Sequence, residues 1–193
     1  METEKLRLVE CKSAEDALES LCHWFYEDRI SVEGCDHVEP DKMPETYRKL
    51  LVHNEHMTET LSAHHGEEVD LQVLHSRTDG DLYSRNVLLT LPSDPEFVVE
   101  FGIMRMNLAL VRDEVRREIE AGENPLGSIL VRHNVLRRIE PRWYLKFDAD
   151  SPMASHFGRD LDSPVFGRVG IIYCNDEPAI ELLEVVRDNR IGT

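Results

Sequence analysis

Apolar residues recur along this chain with two periods, and the change from one to the other organises it. In "SAEDALESLCHWFYEDR" (residues 13 to 29), Ala17, Leu18, Leu21, Cys22, Trp24 and Phe25 return at helical spacing. Ser13 with Asp16 makes a start resembling a capping box. The polar connection "SVEGCDHVEPDKM" follows, and Pro44 suits the first turn of a second helix, "PETYRKLLVH". From Val69 the period drops to two. "VDLQVLHSR", "DLYSRNVLLTLP" and "EFVVEFGIMRMNL" read as strands bounded by Pro and Asp. "LVRDEVRREIEAG" is an amphipathic helix with Val111, Val115 and Ile119 on one stripe and Gly122 as its stop. In "GENPLGSIL" that helix ends, a tight turn follows, and another helix begins. Three strand-like runs close the chain, "VLRRIEPRWYLKF", "FGRVGIIYC" and "PAIELLEVV", the last two joined by the hairpin turn "NDE". Helices first and then mostly sequential strands predict an α+β domain with a largely antiparallel sheet.

Composition narrows the classes of function. A chain of 193 residues with 41% apolar content suits one core, and its formal charge of −16 opposes a phosphate-tracking surface. We therefore expect no nucleic-acid partner, and no anionic membrane surface either. No run of 18 apolar residues occurs, and the charged N-terminus lacks an apolar signal core. The four cysteines have no C-x-x-C spacing, which fits free thiols in a cytoplasmic protein. An anionic small molecule would gain nothing from the overall field, so a site for one needs its own cation.

One candidate for that cation is Arg85. In "YSRNVLLTL" it shares a strand face with Tyr83, Val87, Leu89 and Leu91. An arginine in an apolar row needs a carboxylate or a bound anion. Either an internal ion pair or a carboxylate-binding pocket would satisfy it. Glu181 and Glu184 lie on opposite faces of "PAIELLEVV", so one of them faces inward, and alternation leaves open which. Seven of the nine histidines fall between residues 23 and 75, but without a ligand spacing such as H-E-x-x-H, and no metal is expected. Walker, G-x-G-x-x-G and G-x-S-x-G motifs are absent.

Four separated pieces, in order, resemble the chorismate pyruvate-lyase family: "EHMTETL", "SRNVLL", "NPLGSIL" and "FGRVGIIYCNDEPAIELLEVV". They span about residues 45 to 187, leaving an acidic N-terminal helical extension (1–43) ahead of a lyase-like domain (44–193). The segment between Met57 and Arg85 is shorter than in that family, and Asn86 stands where an acid neighbours the arginine. The resemblance implies an antiparallel sheet with helices enclosing a small buried pocket. It further implies conversion of chorismate to 4-hydroxybenzoate and pyruvate with no cofactor, for quinone or another aromatic pathway. Its matching positions are Met57, Arg85, Leu126 and Glu184. Arg85 would grip the substrate carboxylate with the backbone at Met57, while Glu184 and the Leu126 backbone address the hydroxyl end. Arg85 and Glu184 are thus the expected catalytic pair, with Glu184 preferred to Glu181 by this resemblance alone. The same fold also serves as the effector-binding domain of some transcription regulators, which supplies a non-catalytic alternative that binds an aromatic acid. A third reading is a relative that has lost activity and acts through protein contacts.

Overall fold

The computed structural model describes residues 6–26, 32–158 and 161–188. Seven strands form one antiparallel sheet: β1 (Cys35–His37), β2 (Asp70–Asp79), β3 (Leu82–Leu91), β4 (Asp94–Asn107), β5 (Arg137–Phe147), β6 (Val165–Cys174) and β7 (Glu177–Val186). Their order is β1-β5-β6-β7-β4-β3-β2. Two meanders, β2-β3-β4 and β5-β6-β7, are thus joined by the pairing of β4 with β7. The central strands β3, β4, β6 and β7 are buried on both faces and so read as near-continuous apolar runs, whereas edge strand β2 stays mostly exposed. The β6–β7 turn is as predicted: Asn175 and Asp176 both adopt positive φ, the two-residue geometry whose twist matches a hairpin.

Five α-helices cover the sheet: α1 (Ala14–Cys22), α2 (Glu45–Leu51), α3 (Met57–His65), α4 (Asp113–Ala121) and α5 (Leu126–Arg132). The Ser13 side chain caps α1 by accepting from the Asp16 amide at 3.1 Å. Left-handed Gly122 ends α4, as predicted. The helix expected over 13–29 is shorter. It stops at Cys22, and Trp24 leaves the helical path to lie against the guanidinium groups of Arg77 and Arg105, 4.7 and 5.3 Å from its ring centre. Residues 27 to 29 fall outside the described residues.

The two faces of the sheet are packed differently. On the back, Phe101, Ile103, Val169, Ile171, Leu183 and Val185 meet Leu8, Ala17, Leu18 and Leu21 in one core. Each fully buried side chain of this size contributes about 1.5–3 kcal/mol. The segment expected as an extension before residue 44 therefore supplies α1 to this core and β1 to the sheet. An ion pair is sealed there as well: Arg105 and Glu181 approach to 3.7 Å, and the Leu8 amide donates to the same carboxylate.

On the front the apolar residues fall into two clusters. Met104, Met106, Ile172, Ile180 and Leu182 pack under α4 and α5, through Val115, Ile119, Ile129 and Leu130. Leu89, Leu91, Val99 and Phe166 pack under α2 and α3, through Leu50, Leu51, Met57 and Leu61. Between them runs a strip that is not simply hydrophobic.

Candidate functional site

That strip holds a cavity of about 70 Å³, counted as the space open to the centre of a water molecule. One ordered water needs roughly 10–15 Å³ on this measure, so there is room for a small organic molecule. The floor comes from β3, β4, β6 and β7, and the walls from the first turns of α3 and α5. Arg85, Met57, Leu126 and Glu184, the four residues singled out in the sequence, all line it.

Arg85 is 2% exposed, and register places it opposite Met104 on the front face. Its Nη2 donates to the Asn124 carbonyl at 3.3 Å, whereas Nη1 is buried without a hydrogen-bond partner among the described residues. Burial pulls its pKa below the usual guanidinium range, with Tyr83 acting in the opposite direction. The group still carries its charge, as arginine does in proteins. A buried cation with an unused donor is costly unless something anionic or strongly accepting meets it. Neighbouring Asn86 belongs to the opposite side of the strand, paired with Ile103, and plays no part in the cavity wall.

Glu184 is held differently from the expectation. Nε of Arg168, opposite it on β6, donates to Oε2 at 2.6 Å. Arg168 is 1% exposed and also donates to three backbone carbonyls, those of Leu51 (3.2 Å), His53 (2.8 Å) and Glu55 (3.2 Å). One guanidinium thus ties the α2–α3 connection to the sheet and occupies the carboxylate expected to meet a ligand hydroxyl. Glu181, the other acid of that strand, is paired with Arg105 on the back face.

Three further residues complete the cavity. Glu100 is 5% exposed, and its Oε2 has no hydrogen-bond partner among the described residues. Burial first, and then the charge of Glu184, push its pKa well above the usual carboxylate range, with Arg168 opposing them. Its sequence signal was available: a lone acid inside the apolar run "FVVEF". Gly102 makes room for the Glu100 carboxyl, since a Cβ there would stand 3.0 Å from Glu100 Oε1 and 3.2 Å from Val87 Cγ2. His56 closes the outer side. Its ring lies on Gly127, where a Cβ would come within 3.1 to 3.2 Å of three ring-side atoms. The glycine of the P-L-G turn thus makes room for this imidazole. Its Nε2 accepts from Nε of Arg137, so the ring is neutral. Burial, followed by the charge of Arg137, lowers its pKa to about 4. The same residue borders an outer cleft formed with Asn134 to Ile139.

Met57 and Leu126 are the first residues of α3 and α5, so neither amide has an intrahelical acceptor. Among the described residues no cluster of three or more His, Cys, Asp or Glu could hold a metal ion, and no helix is long and apolar enough to cross a membrane.

Fold and cavity together define an α+β domain of the chorismate lyase-like fold, the architecture expected from the sequence. No protein-family model and no curated protein matches the chain. Among solved structures it is similar to PhnF from Mycobacterium smegmatis, with a TM-score of 0.52 and 16% identity over 71% of this chain and 65% of that one. The chain therefore spans about two thirds of PhnF. The effector domain of PhnF alone gives 0.49 and 16% identity, covering 70% and 90%. The ligand-binding domain of a GntR-family regulator from Bordetella bronchiseptica gives 0.48 and 14%, covering 63% and 87%.

These likenesses correct the expected activity. The solved chain that shares the fold with a TM-score of 0.52 is PhnF, part of which is described as an effector domain, so the chorismate pyruvate-lyase reading, its enzyme class and its quinone-pathway setting do not stand.

Proposed function

We propose that this chain is a non-catalytic, small-molecule-binding domain whose cavity receives an organic acid, aromatic or aliphatic, on Arg85. One observation carries the reading: a buried guanidinium with an unused Nη1, lining a cavity. Apolar walls from Met57, Leu126, Val87 and Met104 would desolvate the bound acid and strengthen its contact with Arg85. Glu184, fixed by Arg168, shapes the far end. The fold shared with PhnF supports a sensing role. The expectation of no nucleic-acid partner rested on the charge of this chain, and the likeness to parts of transcription regulators leaves such a partner open. Four cysteines without disulfides fit the cytoplasmic placement proposed here.

Calorimetric titration of small carboxylic acids, 4-hydroxybenzoate among them, tests this. At least one acid should bind, and Arg85→Met should weaken it by about 2–5 kcal/mol, the range for truncating one partner of a buried charge pair. Chorismate should release no pyruvate. Turnover of chorismate, or equal affinity in Arg85→Met, would overturn the proposal.

A further inference from the structure

We infer that the cavity is bipolar and takes a small molecule carrying an ammonium group as well as an acid, the ammonium meeting Glu100 while the acid meets Arg85. The inference rests on the acid-binding reading above and adds the second recognition group.

The argument begins with the arrangement of charge. Arg85 pairs with Met104 and Leu89 with Glu100, so the two ionisable side chains stand four residues apart along β4. At about 3.3 Å per residue their backbones are roughly 13 Å apart, and both side chains reach into the same cavity from its two ends. Between them the lining is Val87 and Gly102, neither of which has a polar side chain to bridge the two, and the missing Cβ of Gly102 makes room for the Glu100 carboxyl.

Glu100 has no cation of its own. The nearest is Arg168, whose Nε serves Glu184 and whose other nitrogens serve the carbonyls of Leu51, His53 and Glu55. Two carboxyls therefore face one committed guanidinium at this end, while one guanidinium with a free donor waits at the other. A buried, unsatisfied carboxyl is destabilising, and a native structure that keeps one has a use for it. A ligand ammonium supplies both the missing charge and the missing donors. An acid without such a group would leave Glu100 unsatisfied beneath it, which is how a polar site rejects an analogue lacking the matching group.

Burial, and then the charge of Glu184, push the Glu100 carboxyl well above the usual carboxylate range, with Arg168 opposing them. The other charged or titratable groups lining the cavity or bonded beside it are Arg85 with its neighbour Tyr83, Arg168, Glu184, and His56 with Arg137, the imidazole already neutral. Binding then proceeds with defined proton balance. The ligand ammonium keeps its three protons, and a proton held on the Glu100 carboxyl in the empty cavity passes to solvent as the ammonium takes its place.

Calorimetry on the full chain at pH 7 tests this with ω-amino acids of three to five carbons, the matched ω-hydroxy acids and the unsubstituted acids. At least one amino acid should bind tenfold or more tightly than both counterparts. It should release about one proton, read as a heat difference between phosphate and Tris buffers. Glu100→Gln should bring the three ligands within about threefold of each other and abolish proton release. An unsubstituted or hydroxy acid binding as tightly as the amino acid would overturn the inference, as would proton release that persists in Glu100→Gln. If acids bind without preference and Arg85→Met weakens them, the bipolar reading fails while the acid-binding one survives. If none binds, or Arg85→Met binds equally well, both fail.

Discussion

Replacing Arg168 by methionine should destabilise this protein more than replacing any ligand-facing residue. The substitution keeps much of the aliphatic stem but removes the 2.6 Å bond to Glu184 and the three bonds that fasten the carbonyls of Leu51, His53 and Glu55. Breaking a buried ion pair by deleting one partner costs about 3–5 kcal/mol, mainly because the other charge is stranded. The three carbonyls belong to a connection between helices, which can turn to water once released, so their full desolvation penalties do not add to that sum. The expected loss is therefore about 3–5 kcal/mol. With a urea slope near 2 kcal/mol/M this lowers the midpoint by about 2 M, within reach of a domain whose total stability is about 5–15 kcal/mol. Because most of the loss comes from the stranded Glu184, Arg168→Met/Glu184→Gln should recover at least about 1 kcal/mol of it. Limited proteolysis of the single variant should cut between residues 51 and 56 before it cuts elsewhere. A loss below about 1 kcal/mol, or a double variant no more stable than Arg168→Met, would refute the claim that this guanidinium holds the connection to the sheet.

Two further outcomes follow from local geometry. Gly167→Ala places a Cβ 2.7 Å from the Glu184 carbonyl and 3.1 Å from Val185 Cγ2, which backbone cannot relieve, so we expect a loss of about 3 kcal/mol or more in chemical denaturation. Gly80→Ala, with φ +61° but nothing within 4 Å, should cost only about 1–2 kcal/mol, and equal losses at the two sites would contradict the packing described for β6 and β7. His56, with its pKa held near 4 against an ordinary 6.5, stays neutral in the folded chain while the unfolded chain takes up a proton. Its contribution is thus intact above about pH 6.5 and is lost as the pH falls towards 4. The denaturation midpoint of the native protein should fall more between pH 7 and pH 5 than that of His56→Gln, and parallel profiles would rule this out. His53 and His156, also held below their ordinary pKa by burial, add to the slope in the same direction, while Glu100 and Glu181, held above theirs, oppose it.

Much of this fold could be read from alternation and punctuation. The six long strands, the Asn175-Asp176 turn and the Gly122 stop are local signals, and local geometry obeyed them. The resemblance singled out four residues that share one cavity, although it could not say what else was there. Arg168 was missed for a specific reason. Counting back from the hairpin turn with unbroken pairing sets it opposite Leu183, and only a bulge between Ile172 and Tyr173 moves it opposite Glu184. Nothing in the local sequence marks that extra residue. Glu100 left a visible trace, an acid within an apolar run, but its lack of a partner is a property of three strands at once. The N-terminal segment was set apart because the resemblance begins only near residue 45; Leu8, Ala17, Leu18 and Leu21 within it complete the back core.

Glu181 and Glu184 sit three residues apart on β7, each bonded to an arginine, but on opposite faces of the sheet. An odd separation of this kind acts as a two-sided key for strand alignment. Sliding β7 by one residue would turn both carboxylates into the wrong hydrophobic layer and strand Arg105 and Arg168 together. Sliding it by two would keep the faces but part each acid from its base. The hairpin consequently has a single tolerable alignment, and the dimensions of the cavity are fixed by an error-checking device of which only Glu184 reaches its lining.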